Sequence, residues 1–476
     1  MFALSTDDIT EGPIHRALLV LAAPLLVQNA VRISEQVVDL YWVGNYSGDA
    51  VAALGLASPV LWFLLSTVIS TSFVGTQVIV SQRVGADDEA GARRAAFTGL
   101  VVTLVLGLVV GGLIFLGVGP LLDLVAGARP GETVGAVPEL ARVYLEVLAL
   151  GVVFAAVSDV IEAGFLGWGD SRASLYLNVT SVVLNLALDP VFIFGLGPVP
   201  EMGMQGAALA SVSGWFGGMA LGIALALRGR AGWIFTRAQA TLDVEEFREL
   251  LSVGLPAGVQ GATGTSAAMV MSVLVFATGG GAGLAAFTVG SRVSGVAFRA
   301  TNALKQATQS VVGQNLGADN PRRAHRATWT AAALATVVLT VLGAIAWVAP
   351  AAIVTTFVPD VEAAGLDLGV TYLRILAIGF PAMGVLSLLK AGLNGARRTK
   401  TTMIASVTQQ WGLQVPIAAV GGILLGGGVT VVFWSRTAGM VVMALVVAAY
   451  YVRATRGGLL ERAAQAVERS EAAPAD

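Results

Sequence analysis

The amino-acid sequence predicts an all-α, polytopic membrane protein with twelve transmembrane helices in two six-helix bundles. Hydrophobic residues make up 56% of the chain and charged residues only 12%, whereas about 25% of the residues in an ordinary soluble domain are charged. Apolar segments of about 20 residues, the length that crosses the hydrocarbon core, recur along the chain. Motifs of the first half also recur in the second half in the same order. These observations together indicate a duplicated helical protein in a lipid bilayer.

Twelve apolar segments are long enough to span a membrane. The stretch LVVTLVLGLVVGGLIFLGVG, for example, does not alternate polar and apolar residues, which argues against a closed β-barrel, the other architecture that satisfies the backbone in lipid. The 58 glycines are typical of membrane helices that pack closely. The predicted spans are 17–43, 50–80, 95–118, 139–165, 173–196, 204–227, 250–277, 284–312, 326–349, 368–392, 401–424 and 429–452.

Basic residues are distributed unevenly between the two sides of the predicted bundle. Arginine and lysine of membrane proteins concentrate in short cytoplasmic loops. In this chain they precede the first span and follow the even-numbered spans, and Arg129 is the exception on the opposite side. We therefore expect an even number of spans, both termini in the cytoplasm and a location in the plasma membrane. Acidic residues stand where a secretory signal would be basic, so the first span is expected to be retained.

An internal repeat relates the two halves. Residues 80–99 (VSQRVGADDEAGARRAAFTG) resemble residues 312–331 (VGQNLGADNPRRAHRATWTA), and AGFLGWGDSR at 163–172 resembles AGLNGARRTK at 391–400. Six spans per repeat give both halves the same orientation, as in transporters that bind their substrate between two repeats. The expected organisation is an N-terminal lobe at 1–228, a cytoplasmic linker at 229–249, a C-terminal lobe at 250–456 and a polar tail at 457–476.

Composition disfavours several functional classes. The chain has no cysteine, which excludes disulfides, thiol catalysis and cysteine-ligated metals. Its two histidines, His15 and His325, flank apolar segments, so neither a histidine metal site nor an intramembrane histidine relay is expected. A formal net charge of −2 does not indicate a nucleic-acid partner. Short loops without a catalytic constellation argue against an enzyme, and no organic cofactor is expected.

Charged residues inside the predicted spans are the candidates for function. A charge at the bilayer centre costs about 2.5–3.5 kcal/mol on insertion scales, so such residues should face the protein interior or a wet cavity. The first span carries Gln28, Arg32, Glu35 and Asp39 at intervals of three or four residues, which place them on one helix face. The fourth and fifth spans add Asp159, Glu162, Asn178, Ser181, Asn185 and Asp189.

The second half contains bases where the first half contains acids. Lys305 lies in the eighth span, and Lys390 of the tenth span occupies the repeat position of Glu162. One interpretation is that these charges only hold helices together, for example by pairing Arg32 with Glu35 or Glu162 with Lys390. The other is that some of them bind ions or substrate.

Asp39 and Asp189 are the candidates for binding a coupling ion. Both lie inside apolar segments among uncharged polar neighbours. A carboxyl group deprived of water and of full counter-charge can take up and release a proton near neutral pH. Carboxylate oxygens, together with the amide oxygen of Asn185, could equally hold Na⁺, so residue type alone does not choose the ion. The candidates for an accessory polar cavity are Glu35, Gln36, Asn178, Ser181 and Asp159.

Two prolines are candidate hinges. Pro190 follows Asp189 directly, where it removes a backbone donor and disfavours helical geometry at the aspartate. This predicts a bend or break in the fifth span. Pro24, which corresponds to Pro256 in the repeat, could kink the first span before its polar face. The alternative is that both are ordinary prolines of transmembrane helices.

The order of these motifs resembles that of the multidrug and toxic compound extrusion (MATE) transporters, and within them the DinF-like branch. The resemblance covers essentially the whole chain through EGPIHRALLVLAAPLL, VVDLYWVG, VSQRVGAD, AGFLGWGDSR and NLALDPVFIFGLG with their second-half counterparts. It implies a V-shaped pair of six-helix bundles with a first helix that bends at Pro24. It also implies export of organic, often cationic and amphipathic, compounds in exchange for H⁺ or Na⁺.

The resemblance further implies roles for particular residues. The carboxylate of the family's first helix matches Asp39, and the pair in its fifth helix matches Asn185 and Asp189, so these residues would bind the coupling ion. Another branch uses acidic residues in the seventh and tenth helices, where this chain has Gln260 and Lys390. This departure favours coupling through the first lobe alone.

Two other transport functions fit parts of the pattern. A lipid-linked oligosaccharide flippase of the same superfamily should carry a basic central cavity, which Arg32, Arg299, Lys305 and Lys390 would allow. A passive channel would conduct ions without coupling. The preferred interpretation is an antiporter whose partners are small organic substrates and the lipid bilayer, with the chain acting as a monomer.

Overall fold

The computed structural model describes residues 5–127, 136–230, 236–241, 243–358 and 362–471, and these residues form helices joined by loops. Arg129, part of the predicted linker and the end of the predicted tail lie outside the described residues. The first seven helices are α1 (Thr6–Thr10), α2 (Ile14–Tyr46), α3 (Gly48–Gly85), α4 (Glu89–Gly127), α5 (Val137–Gly167), α6 (Ser171–Phe194) and α7 (Met204–Leu227), followed by a 3-10 helix at Arg237–Gln239. The others are α8 (Val244–Gly317), α9 (Pro321–Val348), α10 (Pro350–Phe357), α11 (Ala363–Gly395), α12 (Thr399–Val407) with π-helical stretches at Thr408–Gln414 and Ile417–Leu424, α13 (Gly428–Arg456) and α14 (Leu459–Glu471).

Long apolar helices account for the predicted spans. Within the described part of the chain, nine helices are long and apolar enough to cross a membrane. One of them, α8, contains two predicted spans, because Gly280 interrupts its helical backbone. The spans predicted at 50–80 and 401–424 correspond to α3 and to α12 with its π-helical continuation. The twelve predicted spans therefore each have a counterpart among the helices.

The connection between the seventh and eighth spans is a break at one residue. Gly280 has φ = 57° and ψ = −153°, a conformation that is accessible to glycine because it lacks a Cβ atom. Helical backbone continues on both sides of this residue. The loop expected at 278–283 is therefore reduced to a single non-helical glycine.

Most helices extend beyond their apolar spans. Helix α3 covers 48–85, where hydropathy predicts 50–80, and α4 covers 89–127, where it predicts 95–118. The added turns contain charged residues, which remain helical because only the central portion of a long helix has to lie in hydrocarbon. Helix α8 begins at Val244, so the last residues of the predicted linker 229–249 are helical.

The prolines do not break their helices. Helix α2 continues through Pro24, and α6 continues through Pro190 as far as Phe194. Of the two outcomes predicted at Pro190, a bend or a break, the break is not observed. A proline removes one backbone hydrogen bond, and the helical turns on either side are sufficient here to keep the rod continuous.

The internal repeat is visible in the backbone. Asp87 and Asp319, which occupy matching positions, have φ values of 61° and 50°. Arg397, which corresponds to Gly169, has φ = 56°, and Gly169 has φ = 85°. Positive φ is uncommon for residues other than glycine, so these shared values indicate that both halves end the corresponding helices in the same way.

The chain divides into two compact units, and the first contains residues 23–84 and 88–258. Apolar side chains of α3, α4, α5 and α7 form much of its core, including Leu65, Ile114 and Leu145. Arg83, almost completely buried, donates to Glu246 Oε1 at 2.6 Å and to Glu249 Oε2 at 2.7 Å. These ion pairs fix the beginning of α8 within the first unit.

The second unit contains residues 85–87, the chain from 259 onward and the N-terminal segment up to Ala22. Ile9 of α1 is fully buried in its core. The Ile9 carbonyl accepts hydrogen bonds from Arg323 Nη2 at 3.0 Å and from Asn315 Nδ2 at 3.3 Å. Residues 5–22 and 244–258 thus pack outside the lobes to which the sequence repeat assigns them, because buried polar contacts hold both helix starts.

Glycines bring α7 close to α6, which carries candidate site residues. A Cβ atom on Gly214 would lie 2.5 Å from the Ser181 carbonyl oxygen and 3.1 Å from Asn185 Cβ. One on Gly218 would lie 3.1 Å from the carbonyl oxygen of Leu177. Such close backbone approach is typical of small-residue contacts between membrane helices. It places Asn185 directly against α7.

Candidate functional site

The structure brings Asp39 of α2 and Asp189 of α6 together inside the first unit. Their carboxyl groups lie within hydrogen-bonding reach of each other. Asp189 is 2% exposed and Asn185, one turn before it, is 1% exposed. With its amide oriented to satisfy both ends, Asn185 donates to Asp39 Oδ1 at 3.0 Å and accepts from the Ser211 backbone N–H at 3.2 Å. We call these three side chains the Asp39–Asp189 site.

The Asp39–Asp189 site is chemically suited to a proton or a cation. Two carboxyl groups can form a hydrogen bond with each other only if one of them carries a proton. Asp189 Oδ2 is buried and receives no hydrogen bond from the described residues. A proton shared by the pair, or a cation bound by the carboxylate oxygens, would satisfy these groups. Among the described residues no cluster of three or more His, Cys, Asp or Glu side chains is arranged to hold a metal ion.

Two further groups interact with this site electrostatically. Glu35 lies one helical turn before Asp39 and is close enough to both aspartates for the charges to interact. Tyr144 of α5 lies near all three carboxyl groups. Three acids near one another in an apolar bundle repel when ionised. Uptake of positive charge at the Asp39–Asp189 site would reduce that repulsion.

A second polar cluster surrounds Glu162 at the end of α5. Glu162 is 3% exposed, and its Oε1 accepts from Gln28 Nε2 at 3.0 Å and from Ser174 Oγ at 2.6 Å. Its Oε2 accepts from Asn178 Nδ2 at 2.8 Å. We call these four side chains the Glu162 network. Its donors are neutral, and together they engage both carboxylate oxygens.

Arg32 lies beside the Glu162 network. Its guanidinium donates to Asn178 Oδ1, with Nε at 2.7 Å. Its ion-pair partner within the described residues is Asp159, at 3.9 Å. The proposed pairing of Arg32 with Glu35 is therefore not what the structure shows. The arginine is instead anchored to α5 and α6, and one turn of α2 separates it from Glu35.

The polar face predicted for the first span is thus divided between two clusters. Gln28 and Arg32 belong with Glu162, whereas Glu35 and Asp39 belong with Asp189. Asn178, expected in an accessory cavity, is part of the Glu162 network. Of the other accessory candidates, Gln36 is exposed and Ser181 lies against Gly218 of α7.

Sequence reasoning missed two serines that complete these clusters. Ser174 Oγ donates to Glu162, and the backbone of Ser211 donates to Asn185. Serine is common in transmembrane helices, so residue type alone does not distinguish them. The spacing offers one signal, because Ser174 lies four residues before Asn178 and therefore on the same face of α6.

Comparisons with known proteins show the family to which this arrangement belongs. The sequence model of the MatE family matches residues 24–191 and 256–420. The two matched stretches correspond to the two halves of the internal repeat. A match over most of the chain, in two successive copies, supports a duplicated transporter fold.

Curated relatives align over most of their length. A probable multidrug resistance protein NorM of Thermotoga maritima is 23% identical over 88% of this chain and 87% of the relative. An FAD transporter of Shewanella oneidensis is 25% identical, over 88% of this chain and 90% of the relative. The multidrug resistance protein PmpM of Pseudomonas aeruginosa is 28% identical, over 84% of this chain and 83% of the relative. These relatives do not favour the flippase alternative.

Solved structures share the fold. A MATE transporter in a bent conformation superposes with a TM-score of 0.86 at 22% identity, covering 97% of this chain and 100% of that one. A MOP superfamily transporter from Pyrococcus furiosus, described as having a binding pocket of reversed polarity, gives a TM-score of 0.86 at 23% identity. This superposition covers 96% of this chain and 99% of that one. The predicted all-α fold with twelve spans in two bundles is confirmed by these likenesses.

Proposed function

Because the chain belongs to the MatE family of transporters, we propose that it is a secondary active exporter that moves small organic compounds out of the cell in exchange for inward H⁺ or Na⁺. The family makes it a multi-pass membrane transporter and not an enzyme. The names of its NorM and PmpM relatives support multidrug efflux. Assignment to the DinF-like branch remains a prediction.

The observation that carries the coupling proposal is the contact between Asp39 and Asp189. Two carboxyl groups in hydrogen-bonding reach, with Asn185 donating to one of them, form a site that changes with occupancy by H⁺ or Na⁺. When the site is empty, both aspartates are charged and repel. When it is occupied, α2 and α6 are drawn together.

Exchange follows from linkage between this site and the substrate. The coupling ion and the substrate need not touch if each binds better to one of two states open to opposite sides of the membrane. Ion binding from outside would favour release of substrate, and ion release inside would restore substrate affinity. Pro24 and Pro190 flank the charged faces of α2 and α6, and we propose them as positions where these helices bend during the cycle.

The surroundings of the chain are part of the same proposal. The distribution of basic residues supports cytoplasmic termini. We propose the plasma membrane as the location, because an exporter must connect the cytoplasm with the outside of the cell. We propose that a single chain transports, since each of the two polar clusters is complete within one unit.

Uptake by inside-out proteoliposomes tests the function. A fluorescent organic dye is added outside, and a pH gradient and a Na⁺ gradient are imposed separately. Accumulation under one gradient alone establishes antiport and identifies the ion. Absence of uptake of cationic, anionic and neutral dyes under either gradient would contradict coupled export.

A further inference from the structure

The second unit contains a polar network built around a lysine. Lys390 of α11 donates from Nζ to Ser406 Oγ at 2.6 Å. Ser406 in turn lies 3.5 Å from Gln260 Oε1, and Gln260 Nε2 donates to Thr402 Oγ1 at 3.0 Å. Three different parts of the second unit, α8, α11 and α12, thus contribute to one cluster. We call these four side chains the Lys390 network.

The Lys390 network repeats the Glu162 network with the charge reversed. Gln260 and Ser406 each lie 232 residues after Gln28 and Ser174, and in both units the serine Oγ contacts the glutamine Oε1, at 3.0 Å in the first and 3.5 Å in the second. The ionisable member at the centre is a glutamate in one unit and Lys390 in the other. The glutamine and serine positions are therefore repeated in the two units, whereas the central side chain is an acid in one unit and a base in the other.

A second lysine adds to the positive charge. Lys305 of α8 and Lys390 of α11 are flanked by residues that pack into one core cluster, namely Leu304, Ala307, Leu388 and Ala391. The two ammonium groups interact electrostatically. Lys305 forms no hydrogen bond or ion pair with any described residue. Both lysines are part-buried.

The nearest acidic residues along the helices that carry these lysines are distant. From Lys305 the next acid is Asp319, beyond the end of α8, and 14 helical residues correspond to about 21 Å. Asp367 precedes Lys390 by 23 residues on α11, or about 34 Å. Between residues 259 and 456 the acidic positions are Asp319, Asp360, Glu362 and Asp367, of which Asp360 lies outside the described residues.

Two ammonium groups near each other in a part-buried site are complementary to an oxyanion. Each repels the other, and an anion between them would replace this repulsion with attraction. Lysine is a point-charge donor suited to phosphate and carboxylate. The Ser406 hydroxyl donates to the Thr402 carbonyl oxygen at 2.9 Å and accepts from Lys390, so it holds the lysine in place and leaves the other ammonium protons for a ligand.

We propose that Lys305 and Lys390, the latter held in place by Ser406, form an oxyanion site in the second unit, which takes the carboxylate or phosphate group of an exported organic compound. The substrates are then anionic or zwitterionic amphipathic molecules, in contrast to the cations that a MATE-like sequence suggests. The inference rests on the proposed export function and specifies its substrate class.

Two dyes with related xanthene rings and opposite charge test the substrate class. Binding of fluorescein and of rhodamine 6G to the purified full-length protein is measured by fluorescence anisotropy. We expect the wild type to bind fluorescein. Lys390→Gln should weaken that binding about tenfold, the loss expected for one charged hydrogen bond, and rhodamine binding should not weaken.

Lys400→Gln serves as the matched control, because Lys400 is exposed just after the start of α12. It should leave fluorescein binding unchanged, and Lys390→Arg should retain most of it. Equal loss in the Lys390 and Lys400 variants would overturn the site, as would wild-type affinity in the double variant Lys305→Gln/Lys390→Gln. A cooperative thermal unfolding transition is used to show that each variant is folded. If the melting temperature of the double variant falls, fluorescein binding is measured with Lys305→Gln alone.

The assay also separates this inference from the proposed function. Gradient-driven rhodamine uptake without fluorescein binding would leave export standing and refute the oxyanion site. Displacement of fluorescein by phosphatidylglycerol, without fluorescein transport, would assign the lysines to a lipid headgroup and also refute it. Transport of fluorescein that is lost in Lys390→Gln, with rhodamine unaffected, would support the proposal.

Discussion

At the scale of single residues, Asp39 and Asp189 are distinguished from other carboxylates by their contact with each other. Other acids of the first unit have different partners. Glu162 is surrounded by three neutral donors, and Asp159 pairs with Arg32. The Asp39–Asp189 site therefore combines the capacity to take an ion with a structural response, because charge on the pair changes the interaction between two helices.

Asp39→Asn and Asp189→Asn are each expected to abolish gradient-driven export. An asparagine keeps the shape and can donate to the remaining carboxylate, so the repulsion within the pair is removed without an ion and the site no longer responds. Expression and thermal stability should stay near wild type. Dye uptake by proteoliposomes under the coupling gradient is the measurement.

The matched control for these variants is Asp49→Asn, since Asp49 is exposed at the start of α3. It should transport at the wild-type rate. If Asp39→Asn and Asp189→Asn also transport at that rate, coupling through this pair is refuted.

Glu162→Leu is expected to lower thermal stability. The substitution removes the acceptor of the Gln28 amide, and an unsatisfied buried group costs about 1–3 kcal/mol. Ser174 and Asn178 each lose one hydrogen bond but keep another, to Gln28 Oε1 and to the Ser174 carbonyl oxygen. Glu162→Gln keeps an oxygen acceptor and should be milder. Apparent melting temperatures in detergent check this prediction. We expect the wild type to melt at the highest temperature, Glu162→Gln at a lower one and Glu162→Leu at the lowest, and equal values for Glu162→Leu and the wild type would contradict it.

At the scale of helices, close packing of α6 on α7 positions the coupling site. Gly214→Ala adds a methyl group 2.5 Å from the carbonyl oxygen of Ser181 and 3.1 Å from Asn185 Cβ, so the helices must separate. We expect slower export with the protein still folded, because Asn185 shifts away from Asp39. Transport rate and melting temperature are measured together.

Gly112→Ala is the comparison for this change, because a Cβ atom on Gly112 meets nothing within 4 Å. It should leave the transport rate and the melting temperature unchanged. A Gly214→Ala protein with full transport activity would show that the α6–α7 contact does not set the geometry of the site.

Arg83 holds the start of α8 by a buried ion pair. Its side chain is 7% exposed and that of Glu246 is 9% exposed. Arg83→Gln removes the buried pair with Glu246 and the pair with Glu249, and breaking a buried pair from one side costs up to about 3–5 kcal/mol. Arg94 Nε, 3.5 Å from Glu246 Oε1, keeps part of the counter-charge. Arg93→Gln removes a pair within one helix, in which the Glu89 side chain is exposed, and such a pair is worth about 0.3–0.5 kcal/mol. Melting temperatures of the two variants should differ accordingly, and similar values would refute the structural role of Arg83.

At the scale of the whole molecule, topology can be tested with single cysteines because the natural chain contains none. Ala240 and Glu201 are both exposed, the first in the predicted cytoplasmic linker and the second in the loop between α6 and α7. On intact cells a membrane-impermeant maleimide should label Glu201→Cys and spare Ala240→Cys. Labelling of both after permeabilisation is the control, and the reverse pattern would invert the proposed orientation.

The span count was predictable because crossing hydrocarbon requires about 20 apolar residues whatever the fold. Asp39 and Asp189 could be selected for a related reason, since a charge in such a segment is costly and must face something polar. Backbone events that depend on one residue were less predictable. Pro190 suggested a break that α6 does not have, and Gly280 gives a break inside an otherwise continuous α8.

The sequence by itself determined the helical class, the number of spans, the repeat and the acids that meet in the first unit, because hydropathy and periodicity report the cost of polar groups in lipid. Only the tertiary structure decided which partner each charge takes. Arg32 pairs with Asp159 and not Glu35, and Lys390 joins Ser406. Such choices depend on helix rotation and on distances of a few ångströms between side chains far apart in the chain, which local sequence does not encode.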